Sequence, residues 1–155
     1  MLNLLIFIGI LFSLANAQGE APPLTGSWTH SAFQDVQPWE IPGHLSRKEE
    51  KALRHISPTA WAEKELIVVV GFWCSDSEKW IPILLKGLQL FPEAKVQFYA
   101  LDRNKQGGPD WENTLKISHL PTFVVLKSGR EIGRITETPE SGILWKDFGE
   151  LLLNR

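Results

Sequence analysis

A chain of 155 residues with 43% hydrophobic and 22% charged residues has material for one hydrophobic core and reads as a single globular domain. Its formal net charge of −2 and the absence of any Lys/Arg block leave no basic field for nucleic acid or an anionic membrane. His30, His44, His55 and His119 are scattered and only one cysteine is present, so neither a metal site nor a cofactor is expected.

In chain order, the first feature is the apolar stretch Leu4-Leu5-Ile6-Phe7-Ile8-Gly9-Ile10-Leu11-Phe12, followed by Ala15-Asn16-Ala17. The stretch is shorter than the roughly 20 residues a membrane-spanning helix needs, and small residues precede Gln18, so residues 1–17 predict a secretory signal peptide. Met1-Leu2-Asn3 carries no Lys or Arg, which leaves an uncleaved N-terminal membrane anchor as the alternative. On the signal reading the protein is exported to the periplasm or outside the cell, with no stable membrane insertion after cleavage. Residues 18–45, opened by the Gly- and Pro-containing lead-in up to Gly26, read as an N-terminal extension, and residues 46–155 as the domain.

Ser46 to Ile56 predicts a helix: Ser46 can cap it, Glu49 stands at the capping-box spacing, and Glu50 with Arg54 forms an i,i+4 pair on a solvated face. Leu66 to Phe72 is continuously apolar, as in a strand buried on both faces. A helix from about Ser75 to Leu90 follows, with Pro82 inside it where a kink is expected. Val96 to Leu101 predicts the next strand, and a short helix runs through Trp111 to Leu115. Phe123 to Leu126 and Glu131 to Ile135, joined by Lys127-Ser128-Gly129, predict a β-hairpin, and Ser141 to Leu153 a closing amphipathic helix. The order βαβαββα indicates an α/β sandwich of three layers with a mixed central sheet.

Cys74 is the one thiol, so it is either free and reactive or pairs with another molecule, and burial rather than disulfides must hold the fold. It stands where the strand turns into the helix, a position whose free N–H groups and dipole favour a thiolate. Ser77 follows three residues later and is expected to face the sulfur from the next turn. Asp76, a like charge, and His119, a potential cation, are candidate modulators of its ionisation. Each also has a plainer reading: an acid in a helix's first turn is favourable in itself, and a loop histidine is ordinarily solvated. The tryptophans at 28, 39, 61, 80, 111 and 145 read as packing residues, whereas Trp73, beside the sulfur, suggests a partly exposed face for a docking polypeptide.

Trp73-Cys74 after the strand, Pro82 eight residues beyond Cys74 and followed by Ile83-Leu84, and Leu120-Pro121-Thr122 before the hairpin together resemble the thioredoxin superfamily over residues 66–153. They resemble in particular a secreted bacterial subset with one cysteine in a Trp-Cys-x-Asp-Ser motif. The resemblance implies a thioredoxin-like fold in which Trp-Cys opens the active-site helix and Pro121 is cis and faces the sulfur. It assigns Cys74, Ser77 and Pro121 to catalytic positions and Trp73, Leu120 and Thr122 to the substrate-binding surface.

Two departures limit what it implies. Ser77 stands where the family has its second cysteine, and Val68-Val69-Val70-Gly71-Phe72 lacks the family's buried acid. An internal resolving thiol is worth effective molarities of the order of 10⁵ M or more, so net dithiol reduction should be slowed by orders of magnitude. The expected chemistry is that of a one-cysteine thiol–disulfide oxidoreductase-like protein. It exchanges with, or traps, protein thiols and disulfides, and low-molecular-weight thiols are further candidate partners. The alternative is a non-catalytic polypeptide-binding module using the groove around Trp73 and Pro121.

Overall fold

The computed structural model describes residues 25–105 and 115–153. The elements are β1 (Gly26–Thr29), α1 (His30–Val36), α2 (Arg47–Leu53), a 3-10 turn (Pro58–Trp61), β2 (Lys64–Val70), α3 (Ser75–Leu88), β3 (Lys95–Ala100), β4 (Thr122–Lys127), β5 (Arg130–Thr136) and α4 (Leu144–Leu153). The signal segment, the start of the lead-in and the helix expected through Trp111 fall outside the described residues, apart from Leu115 at that helix's end.

The apolar run Leu66 to Val70 becomes the middle of the sheet because it can be dry on both faces. It runs parallel to β3 and antiparallel to β4 within a five-stranded sheet of order β1-β3-β2-β4-β5. Alternation divides the side chains. Leu66, Val68 and Val70 join the larger core under α3 and α4. Ile67 and Val69 pack with Leu101, Leu120 and Val124 on the opposite face, where Trp73 and Cys74 also lie. Full burial of each such side chain contributes roughly 1.5–3 kcal/mol, so this strand fixes the turn that follows it.

Residues 26–45, expected as an extension, instead enter the domain. Gly26 to Thr29 pair antiparallel with Gln97 to Ala100 of β3, and Thr29 caps α1. Phe33 of α1 is fully buried and stacks on Phe98, with ring centroids 4.0 Å apart. An edge strand of four residues with a single apolar side chain carries too little pattern to be read beforehand.

Ser46 caps α2 as expected, its hydroxyl accepting the N–H of Glu49 at 3.3 Å. Glu49 does not complete a capping box and is not on a solvated face. It is buried, and its two carboxylate oxygens accept the N–H groups of Leu144 and Trp145 at 2.9 Å each. The first turn of α4 otherwise leaves those donors unpaired, and a buried carboxylate from another helix serves it as a cap. The expected Glu50–Arg54 pair is also not formed: among the described residues the ion pairs are Glu131–Arg134 and Lys146–Glu150. Such a surface pair is worth only about 0.3–0.5 kcal/mol, too little to hold two long side chains at a helix end.

Helix α3 is α-helical through Pro82 from Ser75 to Leu88. Trp145 of α4 lies across it, donating its ring N–H to Ile83 O at 3.1 Å, and is fully buried. This ties the helix that begins at Cys74 to the C-terminal helix. Among the described residues, no helix is long and apolar enough to cross a membrane.

Candidate functional site

The chain leaves β2 at Val70 and closes a turn when the Cys74 N–H donates to Gly71 O at 2.9 Å. Glycine is needed at 71 for space: a Cβ there would lie 2.9 Å from Trp73 Cε2 and 3.2 Å from Leu120 Cδ1. Cys74 then occupies the N-cap of α3 with extended backbone angles, φ −96° and ψ 122°, and its carbonyl accepts the Glu78 N–H at 3.0 Å. Its side chain makes no capping bond. The thiol, half-buried, instead donates to Leu120 O at 3.3 Å across the site.

Leu120 belongs to a loop held by its own hydrogen bonds. The Leu120–Pro121 peptide bond is cis, Pro121 O accepts the Glu137 N–H at 2.7 Å, and the Thr122 hydroxyl donates to His119 O at 2.7 Å. Because Thr122 is the first residue of β4 beside β2, the sheet itself sets the distance between Cys74 and Leu120. The half-buried Trp73 is held by its ring N–H, which donates to Leu101 O at 3.0 Å, and the Arg103 guanidinium lies 5.1 Å from its ring centroid.

Cys74, Trp73, Leu120, Pro121 and Thr122 are thus brought to one end of the sheet. Ser77 is nearby but its hydrogen bond differs from the expectation. It is fully buried, and its hydroxyl oxygen accepts the Gly71 N–H at 3.2 Å. The reason is local: the Gly71 N–H, just past the last ladder position of β2, would otherwise be a buried donor without a partner. Asp76 lies half-buried in the first turn of α3, where an acid meets the helix dipole favourably. His119 is exposed and its ring pairs with the Ser118 hydroxyl at 3.0 Å. Lys105 donates to Ser118 O on the same side.

Gly71, Leu101 and Arg103 were not singled out by sequence. Gly71 carried a signal, the one residue without a side chain in the run Leu66 to Phe72, whereas Leu101 and Arg103 reach Trp73 only through the parallel pairing of β2 with β3. Among the described residues, no group of three or more His, Cys, Asp or Glu side chains is placed to hold a metal ion. Chemically, the site offers one thiol, a carbonyl acceptor for its proton, and flanking backbone and aromatic surface.

No protein-family model matches the sequence, and a search of curated proteins finds no match. Similar solved structures include an HIV epitope-scaffold with 18% identity, a TM-score of 0.50, and coverage of 79% of this chain and 77% of the other. A protein of unknown function from Pseudomonas aeruginosa shows 18% identity and a TM-score of 0.49, covering 79% of this chain and 76% of the other. Thioredoxin 2 from the same organism shows 20% identity and a TM-score of 0.46, over 74% of this chain and 94% of its own. The strand order β1-β3-β2-β4-β5, with flanking helices and α3 opening at Cys74 beside the loop into β4, gives the chain a thioredoxin-like fold.

Proposed function

We propose that this is an exported thioredoxin-like protein that exchanges thiols and disulfides with partner proteins through Cys74 alone. The observation that carries this reading is the half-buried thiol at the N-cap of α3, 3.3 Å from Leu120 O beside the loop into β4. In the forward step the Cys74 thiolate attacks one sulfur of a partner's disulfide. A Cys74–partner disulfide forms, the partner's S–S bond breaks, and the released thiolate takes up a proton. Ser77 cannot carry the second displacement, so a thiol from outside attacks the mixed disulfide and returns Cys74. Backbone at Leu120 and Thr122 and the ring of Trp73 supply the surface against which the partner's segment lies.

Export rests on Ala15-Asn16-Ala17 after the apolar stretch. Mass spectrometry of the exported protein tests it: a chain beginning at Gln18 agrees, and retention of residues 1–17 on membranes establishes the anchor instead. The thiol reading is tested by acid-quenched capture of mixed disulfides from the native compartment. Partners should be released by reductant from the natural protein and be missing with Cys74→Ala. Partners retained equally by Cys74→Ala would make the protein a non-catalytic binding module.

A further inference from the structure

We propose that the groove between residues 43–45, α2 and the end of α3 binds a small amphiphile with an anionic head and an apolar tail. The groove has a volume of about 500 Å³, within the range of roughly 300–1,000 Å³ that small-molecule sites occupy. Its walls include Leu45 before α2, Leu53 at the end of α2 and Leu90 past the end of α3. Leu90 is 63% exposed, so among the described residues an apolar surface continues from the buried Leu53 out to solvent. Two cations, Arg54 and Lys86, share the lining, and among the described residues neither makes an ion pair.

The charge pattern selects the ligand. Glu50 also lines the groove, so two cations face one carboxylate in a chain whose overall charge is −2. A neutral apolar molecule leaves the cations unused, and an inorganic anion leaves the leucines wet. A molecule apolar along its length and anionic at one end satisfies both. The groove lies at the opposite end of α3 from Cys74, ~20 Å away at 1.5 Å per residue, so the inference is independent of the thiol chemistry.

The test is titration of the purified protein with sodium decanoate below its micelle concentration, followed by backbone amide NMR shifts. Saturable shifts should map to Leu45, Leu53, Arg54 and residues 86–90, and decanol should bind roughly fivefold or more weakly. Arg54→Ala combined with Lys86→Ala should weaken decanoate by a similar factor and leave decanol unchanged. Leu90→Asp, at an exposed position that the fold does not need, should weaken both. Shifts that fail to saturate or map elsewhere, equal binding of decanol, or unchanged decanoate affinity in the double variant would each overturn the proposal.

Discussion

Glu49 and Trp145 are 96 residues apart in sequence, and the carboxylate of the first accepts the backbone N–H of the second at 2.9 Å. The same carboxylate accepts Leu144 N–H, so one buried side chain on α2 holds the start of α4. Glu49→Gln replaces one acceptor by an amide NH₂ that faces a donor. The expected loss is about 1–3 kcal/mol of unfolding free energy, measured by chemical denaturation.

The pH dependence follows from the same burial. Desolvation pushes the Glu49 carboxyl up from its ordinary value of 4.5; the Trp145 and Leu144 N–H bonds oppose the shift, and the Asp147 carboxylate adds to it. A carboxyl with a raised value in the folded state binds its proton more tightly there than in the unfolded chain. Its contribution is therefore fully present below about pH 4.5 and is lost as pH rises through the raised value. The penalty of Glu49→Gln should be larger at pH 4 than at pH 8, and a penalty that grows with pH would contradict the account.

Gly87 decides between two opposing effects. In a helix interior glycine costs about 0.8–1 kcal/mol relative to alanine, so Gly87→Ala should stabilise α3 if propensity ruled. A Cβ at 87, however, would lie 2.1 Å from Cε2 of Trp145, a fully buried ring anchored to Ile83 O. Overpacking of this kind costs about 1–3 kcal/mol, so thermal denaturation should show a net loss for Gly87→Ala.

Two tryptophans should respond differently to loss of their ring N–H. Trp145 donates to Ile83 O, whereas the buried Trp80 N–H has no hydrogen-bond partner among the described residues. Trp145→Phe breaks a buried bond and strands a carbonyl acceptor, while Trp80→Phe removes a donor that was already unsatisfied. In denaturant titrations Trp145→Phe should therefore be the more destabilising, by roughly 1 kcal/mol.

What could be read in the sequence was what local pattern determines. The continuous apolar run Leu66 to Val70 is a strand buried on both faces because no other element hides so many adjacent apolar side chains, and Ser46 caps the next helix boundary by its own chemistry. The hairpin turn at Ser128-Gly129 is likewise local, both residues having positive φ. What depended on distant pairing was not legible. Glu49 looks like any first-turn acid until α4 is packed against it, and Gly26 to Thr29 becomes a strand only because β3 has a free edge. At the site, Cys74 could be set at a helix start from neighbouring residues, but its contact with Leu120 spans 46 positions and came only through resemblance. The partner of Ser77 was missed for a subtler reason: a backbone N–H that needs an acceptor leaves no mark in a sequence.

Ser77→Cys places a second thiol three residues after Cys74, where the natural side chain is fully buried. The variant gives up the acceptor for Gly71 N–H and should lose about 1–3 kcal/mol of stability when reduced. It should gain an internal disulfide and measurable multi-turnover disulfide reduction, slow because β2 carries no acid near the turn, while the natural protein stays nearly inert in the same assay. Insulin reduction with an external dithiol measures both.

The central claim is that the folded site directs Cys74 to disulfides of partner proteins. The most direct measurement is the second-order rate at which a disulfide-containing peptide forms a mixed disulfide with Cys74 at pH 7, compared between the folded protein and the same chain unfolded in urea. Trp73 and Leu120 flank the sulfur and hold a docked peptide beside it, so the folded protein should react several-fold faster than the unfolded chain. A folded rate equal to or below the unfolded one would contradict the claim and leave the site as a binding surface only.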